Sequence, residues 1–147
     1  MYTQPKIIRK FDGKLYLKVF LLALIVSFTF FSPFLLGDRG IFLFYGDYNV
    51  QQIPFYQLAH RAIREGNIGF NFYTDLGVNF IGSYSFYLLG SPFFWLTLPF
   101  PNSFLPHLMG PLLILKFGCA AFTAYFYIRR FTKNPESALL GSLLYAF

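Results

Sequence analysis

Charge is scarce in this chain. Of its 147 residues 12% are Asp, Glu, Lys or Arg, and only 6 are acidic; a soluble domain carries about a quarter charged residues. With 56% of residues hydrophobic, that shortage excludes a solvated globular domain and leaves a membrane protein. Cysteine is down to one, Cys119, which excludes an internal disulfide. In its apolar surroundings it reads as a buried, inert thiol, with no bearing on redox compartment. His107 has no second His or Cys at ligand spacing nearby, so it reads as a polar interfacial residue and specifies no metal. A Gly-rich phosphate cradle, a nucleotide-binding motif, and Ser/His/Asp or Cys/His arrangements are all missing.

What the chain does have is aromatics, with 22 Phe and 11 Tyr, which suit bilayer interfaces and lipid-facing bulk. Its formal charge of +6 is uneven. Lys6, Arg9, Lys10, Lys14 and Lys18 all precede the first apolar run, which fixes residues 1–18 as a cytoplasmic tail by the positive-inside rule. A basic tail also suits nucleic acid, but this one abuts a span, so topology and anionic headgroups explain it and no nucleic-acid partner is expected. Residues 19–36 form the first span, long enough for the ~30 Å hydrocarbon layer when Leu15 and Leu17 are included. No small-x-small site follows, which argues against a cleaved signal peptide.

Residues 37–104 are then an extracytoplasmic loop. Near its start is YGDYNVQQIPFY, which places Asp47 and a cluster of amides, Gln51 and Gln52 among them, soon after the span. A carboxylate at that depth ionises without a deep burial cost and still faces a lipid-borne substrate. Residues 54–65 read as an amphipathic helix: Phe55, Leu58, Ala59 and Ala62 recur at helical spacing, and Gln57, His60, Arg61 and Arg64 take the other side. Pro54 suits its first turn and Gly66 its stop. Such a helix lies on the membrane surface or packs on a larger domain; periodicity fits both. In residues 67–83, Asn71, Asn79 and Asp75 suit sugar hydroxyls, with Phe72 and Tyr73 stacking on a sugar face; the same residues also serve as turn formers and interface aromatics.

Residues 84–100 are apolar but interrupted by Gly90, Pro92 and Pro99, too broken to span, so a surface or re-entrant helix is expected. Residues 105–128 form the second span. The cluster Arg129, Arg130 and Lys133 in the 129–136 loop belongs inside by the charge rule, which keeps 84–100 on the outer side. Lys116 lies mid-span, where an ammonium costs at least ~2.5 kcal/mol unless it faces helices or a cavity. It meets an anionic lipid phosphate or a partner acid, or it snorkels for structure. Residues 137–147 have the character of a third span cut short. The fold class expected is an all-α, polytopic helical membrane protein with two complete spans.

GDYNVQQIPFY, LGVNFIGSYSFYLLGSPFFWL, KFGCAAFTAYFYIRR and the terminal GSLLYAF together resemble the N-terminal region of the bacterial YfhO membrane proteins, over roughly residues 30–147. The resemblance implies a GT-C-like glycosyltransferase of the bacterial plasma membrane, of which this chain is the opening segment. Such an enzyme takes a sugar from a polyprenyl-phosphate donor and adds it to a cell-wall polymer such as lipoteichoic acid. By the same resemblance Asp47 is the candidate base, with inversion at the anomeric carbon. Gln51 and Gln52 orient it or the sugar, Asn79 meets sugar hydroxyls, and Arg61, Arg64 or Lys116 stabilises the leaving phosphate. One carboxylate among amides does not specify a metal, so a divalent cation at Asp47 stays open. A flippase of lipid-linked sugars and a non-catalytic assembly partner are the competing classes; neither needs Asp47 as a base.

Overall fold

The structure, a computed structural model, describes residues 13–37, 39–42, 46–74, 76–86 and 88–147. Residues 1–12 of the basic tail, the acids Asp38 and Asp75, and Tyr45 lie outside them. The elements are helices α1 (Gly13–Gly37), α2 (Ile53–Arg64), α3 (Phe80–Tyr84), α4 (Pro92–Trp95), α5 (Leu105–Ile128) and α6 (Pro135–Ala146), with strands β1 (Phe70–Asn71) and β2 (Val78–Asn79). Among the described residues two helices are long and apolar enough to cross a membrane: α1, with 25 residues, and the 27-residue run Asn102–Ile128 that contains α5. At ~1.5 Å per residue each exceeds a ~30 Å hydrocarbon layer. The chain divides into two compact units, one of residues 1–31 and 113–147, the other of residues 32–112.

In the first unit, α1 buries Val19, Ala23, Ser27 and Phe31, a stripe repeating every four residues. It meets Ala121 and Tyr125 of α5 and Ala138 of α6. The small residues have a physical reason. Lipid is as apolar as any side chain, so helices associate through close packing rather than through escape from water. Gly118 marks a close approach: a Cβ there would stand 2.7 Å from Leu24 Cδ2 and 2.9 Å from Phe20 Cε2. Ser27 adds no unsatisfied hydroxyl, because its Oγ donates to the Ala23 carbonyl at 2.7 Å. Bulky Leu17, Ile25, Phe28 and Phe30 point outward. Helix α6 starts at Asn134, whose side chain accepts from the Glu136 amide at 2.9 Å, with Pro135 in the first turn.

In the second unit, the end of α1 turns through Arg39 and Gly40, both at positive φ, and the Gly40 amide bonds the Leu35 carbonyl at 3.1 Å. Phe42 is fully buried, edge-on to Phe34 and Tyr48. Strands β1 and β2 pair antiparallel, Phe70 opposite Asn79 and Asn71 opposite Val78. Gly77 is required in that turn: its φ is +102°, and a Cβ would meet the Phe70 ring at 2.9 Å. Tyr56, Phe80, Leu88, Phe94, Leu105 and Met109 fill the core.

Residues 84–100 are expected as a surface or re-entrant helix; their described part, 84–86 and 88–100, forms a succession of turns around the four-residue α4. Pro92 and Pro99 withhold amide donors, and the Gly90 amide turns back onto the Ser85 carbonyl at 2.7 Å. The loop's amphipathic segment is helical over Ile53–Arg64, but it is turned differently from the apolar stripe read in its sequence. Tyr56, Ala59, His60 and Ala62 are buried, so His60, grouped with the polar side by spacing, faces the core.

Candidate functional site

Asp47 begins a helical run. Gly46 precedes it at φ +92°, and the five-residue π-turn Tyr48–Gln52 leads from it directly into α2. The amides of Asn49 and Val50 both bond the Gly46 carbonyl, at 3.2 and 3.3 Å. The neighbours of Asp47 are held by side chains as well. Tyr48 donates its hydroxyl to the Met109 carbonyl in α5 at 2.8 Å, and Asn49 donates Nδ2 to the Phe42 carbonyl at 3.2 Å. Burial, followed by the charge of Tyr56, raises the Tyr48 phenol well above its ordinary range, so it remains a donor. Asp47 itself is exposed, and its carboxylate makes no capping bond. Single π-turns inside helices occur often at functional sites.

The other site residues from the sequence are distributed along the fold. Gln51 and Gln52 are half-buried in the π-turn, close to Asp47 in the same run. Arg61 and Arg64 are exposed at the far end of α2, ~20 Å from Asp47 along the helix axis. Arg64 Nη2 donates to the carbonyls of Leu98 and Phe100, which ties the last turn of α2 to residues 98–100. Asn79 caps α3, its Oδ1 accepting from the Gly82 amide at 2.9 Å, and Asn71 Oδ1 accepts from the Tyr73 amide at 2.8 Å. Both amide side chains are thus turn formers here. Phe72 and Tyr73 remain exposed. Lys116 is half-buried in α5 and belongs to the unit of residues 1–31 and 113–147, whereas all the others belong to residues 32–112. Among the described residues, no three His, Cys, Asp or Glu side chains gather into a metal site.

His60 is the residue that spacing misplaced. It is 0% exposed, and its Nε2 lies 2.7 Å from Thr97 Oγ1, which donates its one hydrogen to the Phe94 carbonyl at 2.6 Å. Nε2 must therefore carry the imidazole proton and donate it to Thr97. Nδ1 is left as a buried acceptor with no partner among the described residues. The available signal was Tyr56 and His60 four apart on one helix face, two aromatic rings that both pack on Phe94.

Burial, and secondarily the charge of Arg64, lower the His60 pKa below its ordinary 6.5. The unfolded chain then takes up a proton near pH 6.5 that the native imidazole refuses, so stability falls as the pH drops below about 6.5 towards the native pKa. The limiting slope is about 1.4 kcal/mol per pH unit. Thermal unfolding in detergent should show this acid sensitivity in the native chain, and His60→Asn should flatten it whatever its effect at neutral pH. An unchanged slope in the variant assigns the sensitivity to another group.

Among the described residues, two membrane-length apolar helices and a folded loop between them, in a mostly helical structure with one small hairpin, define an all-α integral membrane protein. No curated protein and no solved structure matches the chain. The profile of the family described as "Bacterial membrane protein YfhO" matches residues 18–147, and the chain belongs to that family.

Proposed function

We propose that this chain supplies part of the site of a GT-C-type membrane glycosyltransferase that moves a sugar from a polyprenyl phosphate to a cell-wall polymer outside the cytoplasm. The N-terminus is cytoplasmic and the loop of residues 37–104 faces outward. One observation carries the reading: Asp47 presents an exposed carboxylate without a capping bond, on a π-turn whose next two residues are fastened by side-chain hydrogen bonds. In the reaction the acceptor oxygen attacks the anomeric carbon as Asp47 takes its proton. The bond from that carbon to the phosphate oxygen breaks, and the electron pair leaves with the polyprenyl phosphate. Gln51 and Gln52, on the same helical run, are placed to orient the carboxylate or the sugar. Arg61 and Arg64 lie ~20 Å further along the axis, beyond a phosphate attached to a sugar held at Asp47.

Membranes enriched in the protein, given a labelled polyprenyl-phosphate sugar and a lipoteichoic acid acceptor, should accumulate label on the polymer. Label that crosses the bilayer still attached to the lipid would support the flippase instead. No movement of label would leave the assembly-partner reading.

A further inference from the structure

Between Glu65 and Lys116 the sequence contains a single charged residue, Asp75. A soluble domain carries about a quarter charged residues, so this stretch is not built for water. Within it, Phe86, Trp95, Leu96, Phe100 and Phe104 are all exposed, Phe86 at 70%. Exposed apolar side chains alone do not name what covers them; the polar groups of the segment supply that information. The Trp95 indole donates to the Leu89 carbonyl at 2.9 Å, although half its surface is open. The amides of Leu88, Gly90, Ser91, Phe94, Thr97, Leu98, Phe100 and Phe104 each bond a carbonyl within the same segment. Non-helical backbone facing water has no need of such closure, whereas backbone facing lipid requires it, because hydrocarbon offers no partners. The Thr97 hydroxyl is turned inward to Phe94 as well.

The apolar surface also continues onto a membrane-length helix. Phe100 stacks on Phe104 at 5.9 Å and Phe104 on His107 at 5.3 Å, a ladder of rings running from the segment onto the first turn of α5.

We propose that residues 84–86 and 88–104 form an in-plane, lipid-seated element that presses Phe86, Trp95, Leu96, Phe100 and Phe104 into the bilayer leaflet on the loop's side of the membrane. The partner is the acyl and glycerol region of the lipid itself. The segment gains burial of its aromatic faces there while the amides named above keep their carbonyl partners, and it holds the loop against the surface from which a lipid-borne molecule would approach. This inference needs no sugar chemistry and stands apart from the proposed activity.

The chain carries its own probe, since Trp95 is its only tryptophan. The intact protein is reconstituted into phosphatidylcholine and phosphatidylglycerol vesicles, with or without lipids brominated on the acyl chain. Brominated lipid should lower the Trp95 emission at least about twofold, as expected for an indole at the membrane interface, while aqueous iodide leaves it nearly unchanged. Moving the probe, with Trp95→Phe and Leu96→Trp together, should give the same pattern. Quenching by iodide and not by brominated lipid would overturn the proposal in favour of a water-facing loop. Protection from both quenchers would overturn it too, since protein and not lipid would then cover the ring.

Discussion

On the proposed reaction, Asp47→Asn should lower sugar transfer by about 10²–10⁴-fold, the usual contribution of a positioned general base. The substitution keeps size and shape, removes the negative charge and the ability to take a proton, and turns one acceptor oxygen into a donor. The local fold should not change, because the Asp47 side chain makes no capping bond and its neighbours are fastened independently, Tyr48 to Met109 and Asn49 to Phe42. Stability should stay within about 0.5 kcal/mol of the native chain, as for other exposed positions. The informative comparison sets the rate of label transfer beside donor binding and the unfolding midpoint. Loss of rate with the other two retained identifies a base. Full transfer in the variant removes Asp47 from the chemistry, and a parallel loss of binding or folding makes it structural.

Gly118→Leu is expected to destabilise the unit of residues 1–31 and 113–147 by about 1–3 kcal/mol, through overpacking. The glycine faces the ring of Phe20 and the branch of Leu24, where even a Cβ comes inside 3.0 Å. Alanine obliges those two side chains to shift; leucine forces the α1 and α5 backbones apart and strips contact from Ala23 and Ala121, both fully buried. Close packing is the main attraction between helices in lipid, so no separate apolar effect offsets the loss. Phe28→Leu, on the outward face of α1, is the control and should be near neutral. Equilibrium unfolding in mixed micelles measures both, and equal midpoints for the two variants would mean that α1 and α5 do not pack through Gly118.

The long helices were legible in the sequence because length, apolarity and flanking charge decide them locally. So were the bounds of α2, where Pro54 and Gly66 act through the backbone of the segment itself. The direction in which α2 faces was not legible. Leu58 and Phe55 satisfy a surface stripe as well as Tyr56 and His60 satisfy a core, and Thr97 and Phe94, some forty residues further on, decide between them. Asn71 and Asn79 show the same limit. An amide that binds sugar and an amide that closes a turn are one residue type, and only the positions of the Tyr73 and Gly82 amides reveal the second role. Asp47 could be singled out by its place after the first span. That it leads into a π-turn was hidden, because YNVQQ has no sequence signature for that geometry.

The π-turn also sets an angular phase. Between Gly46 and Arg64 the chain winds as one continuous rod, with a single stretch at Tyr48–Gln52 that holds one residue more than α-helical winding would. An α-helix advances about 100° per residue. Excising one residue from the bulge would therefore leave a rod with both ends intact, while rotating Asp47 by roughly a quarter of a turn relative to Tyr56 and His60. The direction of the acid is thus independent of the packing of the helix behind it, and a one-residue change in length is enough to re-aim a carboxylate without redesigning the core.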